Sequence, residues 1–278
     1  MAVQTGALGV LAGSGDLPRL IAQAQGRRRH LVCAFEGCAP GWISDHPHVV
    51  VPFEKPGRMF EALRKAGVTR LVMAGGMSRP TLRPLAFDRT ALGLASKVLP
   101  LMRQGDDALL RGVARVLEDE GFELVGVHDV VTGLLAPEGV IAGPAPDEAA
   151  RADIARAAAI AAAVGNLDVG QGAVVEAGLC LGVESLQGTD AMLAFVAETP
   201  ARLREGTARG VLFKAPKPGQ DLRLDLPALG AETLRGAARA GLGGIAVAAG
   251  GVLLIDREAI VAEADRLGLF VHGWAMPA

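Results

Sequence analysis

The 278-residue sequence predicts an α/β fold in two domains, and three observations support this prediction. Short apolar runs alternate with helical patterns in the first half, which is typical of a parallel sheet with helices on both faces. The Pro/Gly-rich segment 134–147 then interrupts the pattern, as a linker would. Apolar runs in the second half come in close pairs, which indicates a mixed sheet. We therefore expect an N-terminal domain at 1–133 and a C-terminal domain at 148–278.

The N-terminal elements follow from the period of the apolar residues. The expected strands are 8–12, 31–35, 49–53, 69–74 and 122–127. The first expected helix ends near Gln25, and the others span 56–66, 88–103 and 108–120. Strands that alternate with helices in this way predict a Rossmann-like domain.

Two glycine-rich loops follow strands, at the sheet edge where α/β proteins bind ligands. The candidate binding residues in these loops are Gly13, Ser14, Gly15, Asp16, Gly75 and Gly76. Glycine lets the backbone approach a phosphate, and the helix that follows favours an anion at its N-terminus. Pro18 stands where the dinucleotide fingerprint has its third glycine, which argues against NAD. A plain tight turn explains the first loop nearly as well as a ligand loop does.

Two other polar groups have a structural explanation beside a functional one. Gly105, Asp106 and Asp107 precede a helix, where capping and the helix dipole account for acidic residues. Binding of substrate by Gly105 and Asp106 is the alternative. His128 and Asp129 follow the fifth strand, but no serine or cysteine is marked as a nucleophile beside them. A structural role is therefore favoured there.

The second half predicts two hairpins, a set of helices and a closing strand. The hairpins are 172–177 with 180–183 around Gly178, and 245–248 with 252–255. The helices are 148–164, 188–204, 232–240 and 257–267, and the last strand is 269–272. Together they indicate a C-terminal α/β domain with a mixed sheet.

A charged segment, GVLFKAPKPGQDLRLDLPALG at 210–230, is the main candidate for chemistry. Asp221, Arg223 and Asp225 alternate with leucines, so an extended backbone would place all three on one face. Two carboxylates with Lys214 and Lys217 nearby suit a divalent metal and a phosphate. An exposed edge strand with ordinary charges explains the pattern equally well.

Composition excludes several other classes. The net charge of −2 argues against a broad nucleic-acid surface. Cys33, Cys38 and Cys180 lack CxxC spacing, which argues against a zinc site or a disulfide framework. The sequence shows neither a signal-peptide pattern nor about 18 consecutive apolar residues, so we expect a cytoplasmic protein.

Six stretches in a fixed order resemble a known family. They are GSGDLP at 13–18, GGMSRP at 75–80, GDDALLRGV at 105–113, QGTD at 187–190, the charged segment 210–230, and AGLGGIAVAAGGVLLIDR at 240–257. Over essentially the whole chain they are similar to the LpxI-type UDP-2,3-diacylglucosamine pyrophosphatases of lipid A biosynthesis. The last two motifs are long and unusual, which makes the resemblance specific. The sequence departs from the family at Gln187, where a glutamate is expected.

The resemblance implies hydrolysis of UDP-2,3-diacylglucosamine to 2,3-diacylglucosamine 1-phosphate (lipid X) and UMP. Water would attack the sugar-side phosphorus with the help of Mg²⁺, or of another divalent cation such as Mn²⁺ or Co²⁺. Asp225 is singled out as the catalytic residue, as metal ligand or as base. Asp221 is a second metal ligand in this interpretation, and Lys214 stabilises phosphate. The further substrate-binding candidates are Thr189, Asp190 and Gln220.

The expected partners follow from the same resemblance. An apolar rim would give loose peripheral contact with the cytoplasmic face of the inner membrane. A homodimer is expected only from how often soluble enzymes pair. The alternative to catalysis is a non-catalytic sugar-nucleotide sensor that uses the same glycine loops. An NAD(P)-linked oxidoreductase with a degenerate fingerprint is a second alternative.

Overall fold

The computed structural model describes residues 6–77, 81–103, 106–204 and 209–276. The chain forms two compact units. Unit 1 comprises Met1–Thr132 with Asp221–Asp225, and unit 2 comprises Gly133–Gln220 with Leu226–Ala278. The predicted α/β class is confirmed, since one unit has a parallel sheet and the other a mixed sheet. The short segment that returns to unit 1 lies within the charged motif.

Unit 1 contains a five-stranded sheet in the order β3-β2-β1-β4-β5. Its strands are β1 Ala7–Ala12, β2 His30–Phe35, β3 His48–Val51, β4 Val68–Ala74 and β5 Glu123–Leu124, and every pair is parallel. Its helices are α1 Leu17–Gln25, α2 Pro56–Lys65, α3 Arg89–Val98, α4 Asp106–Asp119 and α5 Val127–Val130, with 3-10 turns at Gly41–Asp45, Pro84–Ala86 and Leu101–Arg103. The strand order reverses between β1 and β4, which is the ligand-binding position of Rossmann-like sheets.

The core of unit 1 follows from the apolar periodicity of its elements. All six residues of β1 are buried, as a central parallel strand requires. Helix α2 buries Met59, Phe60 and Leu63, which lie three and four residues apart on one face. Leu224 belongs to the same core, so the returning segment is anchored in unit 1 by an apolar side chain.

Unit 2 contains a six-stranded sheet in the order β6-β13-β11-β9-β7-β8 and a two-stranded sheet of β10 and β12. The strands are β6 Gly139–Ala142, β7 Gly172–Glu176, β8 Leu179–Val183, β9 Val211–Lys214, β10 Ala228–Leu229, β11 Gly244–Ala248, β12 Leu253–Leu254 and β13 Phe270–Trp274. The helices are α6 Glu148–Asn166, α7 Gly188–Ala197, α8 Ala231–Arg239 and α9 Arg257–Leu267, with a 3-10 turn at Ala201–Leu203. Strands β9, β11 and β13 are parallel, whereas β6, β7 and β8 are antiparallel to their neighbours.

Small side chains allow helix α6 to pack closely in the core of unit 2. Ala157, Ala158 and Ala161 are buried on its inner face. Strands β7, β9 and β11 are buried along their whole length, which explains why they are apolar in the sequence except for Glu176 and Lys214 at the ends of β7 and β9.

The predicted hairpin of 245–248 with 252–255 is wrong. Strand β12 pairs with β10 instead, and Leu253 donates its N–H to the Pro227 carbonyl at 2.8 Å. The N–H of Gly250, in the turn, donates to the Ala136 carbonyl at 2.8 Å. The backbone N–H groups of Gly250 and Leu253 therefore donate to other segments of unit 2. A local apolar pattern cannot predict these partners.

Three other elements differ in length from their predictions. The helices predicted over 88–103 and 188–204 end at Val98 and Ala197, before Pro100 and Pro200, because proline cannot continue a helix. Strand β5 has two residues, and His128 and Asp129 lie in the short helix α5. The segment predicted as a linker, 134–147, contains strand β6, which pairs with β13.

Candidate active site

The two glycine-rich loops of unit 1 are joined by a backbone bridge. The Ser14 N–H donates to the Gly76 carbonyl at 2.8 Å, and the Gly76 N–H donates to the Ser14 carbonyl at 3.1 Å. The Ser14 hydroxyl also donates to the Gly76 carbonyl at 3.0 Å. Gly75 has φ +87°, and a Cβ there would lie 2.3 Å from the Ser14 carbonyl oxygen. The structure therefore brings the predicted loop residues together, and glycine is required where the loops meet.

This bridge determines which backbone groups can serve a ligand. The N–H groups of Ser14 and Gly76 are used in the bridge, and the Gly13 N–H donates to the Ala74 carbonyl at 2.8 Å. Gly15 has φ +89° with open space around its Cβ position, and α1 begins two residues later. The exposed Asp16 carboxylate pairs with Arg19 at 3.1 Å. An anion would therefore be bound from Gly15 onward, at the start of α1.

Unit 1 also has an open cleft of about 660 Å³ at the carboxyl ends of β2 and β3. Its lining residues are Glu36, Pro52, Glu54, Lys55, Arg58, Arg83, Pro84, Leu85 and Ala86. Buried Glu54 accepts from the Arg83 guanidinium at 2.9 Å and from its backbone N–H at 3.2 Å. The side-chain hydrogen bond from Arg83 holds the pKa of Glu54 below its usual range. Sequence reasoning missed this cleft, although Glu36 directly follows β2.

The charged motif does not continue as a strand through Asp225, so the predicted alternation on one face is wrong. Residues 222–224 form a turn, with the Leu224 N–H donating to the Asp221 carbonyl at 3.0 Å. The Asp221 side chain accepts the Arg223 N–H at 3.0 Å, which is a local bond that aspartate often makes in turns. Leu224 points into the core, while Arg223 and Asp225 are exposed.

Asp221 is held in a bidentate ion pair by Arg223. The guanidinium donates to the two carboxylate oxygens, with Nε to Oδ1 at 3.1 Å and Nη2 to Oδ2 at 2.7 Å. These hydrogen bonds lower the pKa of Asp221, and the charge of Arg111 lowers it further. Arg223 also contacts Glu118 at 3.1 Å. Asp221 is therefore a carboxylate at neutral pH, but any metal ion would compete with a guanidinium for it.

Lys214, in unit 2, is buried at the end of β9. Its ammonium donates to the Thr189 hydroxyl at 2.8 Å and to the Ala228 carbonyl at 3.5 Å. The Thr189 hydroxyl in turn donates to Glu184 Oε1 at 3.0 Å. The structure thus joins two predicted residues, Lys214 and Thr189, to buried Glu184, which sequence reasoning missed. The only available signal was a carboxylate directly after an apolar strand.

The remaining predicted residues lie on surfaces or turns. Gln220 accepts the Lys217 N–H at 2.8 Å, and Asp190 is exposed in the first turn of α7. Gln187, the departure from the family, is exposed and accepts a hydrogen bond from the Ser185 hydroxyl. Asp106 begins helix α4, and Gly105 lies outside the described residues.

These features define a class of protein: an α/β protein in two units, one with a Rossmann-like sheet and bridged glycine loops. Comparison with known proteins then assigns the family. The LpxI N-terminal domain model matches residues 7–134, and the LpxI C-terminal domain model matches residues 137–272. The UDP-2,3-diacylglucosamine pyrophosphatase LpxI of Caulobacter vibrioides is 44% identical over 271 residues, covering 96% of each chain. The chain belongs to the LpxI family.

The described ranges also bear on membrane attachment. None of the helices there combines the length and the apolar character that crossing a bilayer demands.

Proposed function

We propose that this protein hydrolyses the pyrophosphate bond of UDP-2,3-diacylglucosamine, as a hydrolase of lipid A biosynthesis. The products are lipid X and UMP. The observation that carries this proposal is the 44% identity to a named UDP-2,3-diacylglucosamine pyrophosphatase over 96% of both chains. Both LpxI domain models match as well, so the proposal draws on the whole chain rather than on a single nucleotide-binding unit.

The chemistry requires positive charge and an oriented water. A pyrophosphate diester carries two negative charges that repel an attacking oxygen, so cations must offset them. Lys214 supplies a compact ammonium for the phosphate, and its burial strengthens the attraction between the two charges because the local dielectric constant is low. Asp225 accepts a proton from water or orients it toward the sugar-side phosphorus. UMP is then the leaving group.

A divalent cation, Mg²⁺ or alternatively Mn²⁺ or Co²⁺, belongs to this proposal. In the described ranges no group of three or more His, Cys, Asp or Glu side chains is placed to hold a metal ion. Mg²⁺ that is bound by one or two carboxylates together with substrate phosphates does not require such a group. Asp225 would hold it, and Asp221 would contribute on releasing Arg223. The cation neutralises phosphate charge when bound.

The glycine-rich loops of unit 1 are the first proposed substrate-binding residues. Gly15 and the start of α1 would receive a phosphate, with Gly13, Ser14, Gly75 and Gly76 shaping the loops. The other proposed substrate contacts are Asp16, Gly105, Asp106, Thr189, Asp190 and Gln220.

We place the protein in the cytoplasm, in loose peripheral contact with the inner membrane. Apolar side chains on the surface of unit 2 support this, since Leu186 is 87% and Phe195 67% exposed. Isolated apolar side chains of this kind add weak affinity for a bilayer surface. A homodimer remains part of the proposal on general grounds.

Incubation of the purified protein with UDP-2,3-diacylglucosamine tests the function. UMP release, measured by chromatography, should occur with Mg²⁺ and stop with EDTA. In ¹⁸O-water the label should enter lipid X and not UMP, because the attacked phosphorus is on the sugar side. Binding without turnover under every divalent cation would instead support the sugar-nucleotide sensor.

A further inference from the structure

Glu184 is a buried carboxylate that the proposed chemistry does not use. It directly follows β8, and its N–H donates to the Gly172 carbonyl at 2.9 Å. Oε1 accepts from Thr189, but Oε2 is buried and has no hydrogen-bond partner among the residues that the structure describes. Burying a carboxylate is costly unless nearby charge or hydrogen bonds offset the lost hydration. The position of Glu184 therefore calls for a role that outweighs this cost.

The direction of the hydrogen bonds links Glu184 to Lys214. A threonine hydroxyl has a single proton, and an ammonium can only donate. Lys214 Nζ therefore donates to Thr189 Oγ1, which in turn donates to Glu184 Oε1, at 2.8 and 3.0 Å. The chain begins at a cation and ends at an anion, so each bond polarises the next.

Two glycines make room for these hydrogen-bonded side chains. Gly172 pairs with Lys214 across β7 and β9. A Cβ at Gly172 would lie 2.7 Å from Glu184 Oε2 and 3.5 Å from Lys214 Cγ. A Cβ at Gly170 would lie 2.0 Å from the Glu184 carbonyl oxygen. The two glycines thus leave the space in which a carboxylate can lie beside the Lys214 stem.

We propose that Glu184 is a positioning residue for Lys214, acting through Thr189. Its negative charge stabilises the buried ammonium, and the hydroxyl between them fixes the direction of that ammonium. The inference deepens the proposed function, on which it rests, because it names the residue that prepares Lys214 for a phosphate. Glu184 itself touches no substrate in this assignment.

Glu184→Gln tests the proposal, because it removes the charge while keeping the shape and an acceptor for Thr189. We expect kcat to fall about 10- to 100-fold while KM changes less than about threefold. This is the pattern for a group that stabilises the transition state more than the bound substrate. In a Lys214→Met background, Glu184→Gln should cause no further loss. Additive losses would contradict the proposal. Glu198→Gln, the same change on an exposed side chain, is the matched control.

Thr189 variants keep the test decisive if Glu184→Gln fails to fold. Thr189→Val removes the hydroxyl at similar volume and should lower kcat about as much as Glu184→Gln, whereas Thr189→Ser keeps the hydroxyl and should lower kcat clearly less. Equal activity of the two variants would overturn the role of the hydroxyl.

A spectroscopic readout separates this proposal from the proposed function. The ¹⁵N ammonium signal of Lys214, assigned by its loss in Lys214→Arg, should be visible in the unsubstituted protein and broaden in Glu184→Gln. An unchanged signal would overturn the positioning role. If the protein releases no UMP at all, the proposed function fails, while this signal still reports on the chain.

Discussion

The turn at Asp221–Asp225 and the Glu184–Thr189–Lys214 chain represent two ways of holding charge in one protein. The turn, in unit 1, exposes Arg223 and Asp225 around one apolar anchor, Leu224. In the hydrogen-bonded chain of unit 2, both charged residues, Glu184 and Lys214, are buried. Exposed charges cost little free energy because water solvates them, whereas buried charges must be paired. The exposed turn therefore suits a group that meets water and a metal ion, and the buried Glu184–Thr189–Lys214 hydrogen bonds suit a preorganised charge.

The largest expected effect is at the exposed turn. Asp225→Ala should reduce UMP release by roughly 10³-fold or more, because the proposed group that holds the metal or orients water is lost. Thermal stability should change little, since the side chain is exposed. Steady-state kinetics and a melting curve measure both. Asp119→Asn, which changes another exposed carboxylate of unit 1, is the control. Near-normal turnover of a folded Asp225→Ala variant would contradict the catalytic role proposed for the turn.

An intermediate effect is expected in the buried chain. Gly172→Ala should lower kcat about 10-fold and the unfolding free energy by about 1–3 kcal/mol, because the added Cβ overpacks against Glu184 Oε2. Urea unfolding and kinetics on one sample give the two values. Gly93→Ala, where a Cβ meets nothing within 4 Å, should instead be neutral or slightly stabilising. If both glycine variants behave alike, the buried chain is not tightly packed.

The smallest effect concerns the Asp221–Arg223 ion pair. Hydrogen bonding lowers the folded-state pKa of Asp221 from 3.8, so the pair stabilises the protein above that pH and loses its contribution as pH falls through the folded value. Asp221→Asn should therefore reduce the unfolding free energy at pH 7 by up to about 1 kcal/mol, since the pair is partly exposed. Urea unfolding at pH 7 and near pH 3 measures this. A difference that grows on acidification would reverse the assigned sign.

Most of the fold could be predicted from local pattern. The strands of unit 1 other than β5 and the hairpin of β7 with β8 lie close to their predicted positions, because each is a mainly apolar run between turn residues. The partner of β12 could not be predicted, since its hydrogen bonds go to segments far away in sequence. The returning segment at Asp221–Asp225 likewise depends on Leu224 finding the core of unit 1.

The sequence by itself determined the α/β class, the glycine loops and the family, because periodicity and long motifs are properties of the chain. Tertiary structure alone decided which charges meet. The alternation of Asp221, Arg223 and Asp225 suggested a shared face, but a side-chain hydrogen bond turned the backbone. Glu184 had no motif, yet folding buried it at the end of a hydrogen-bonded chain from Lys214. The interaction energy of two charges depends on the distance between them and on their burial. Both quantities are set only when the chain is packed.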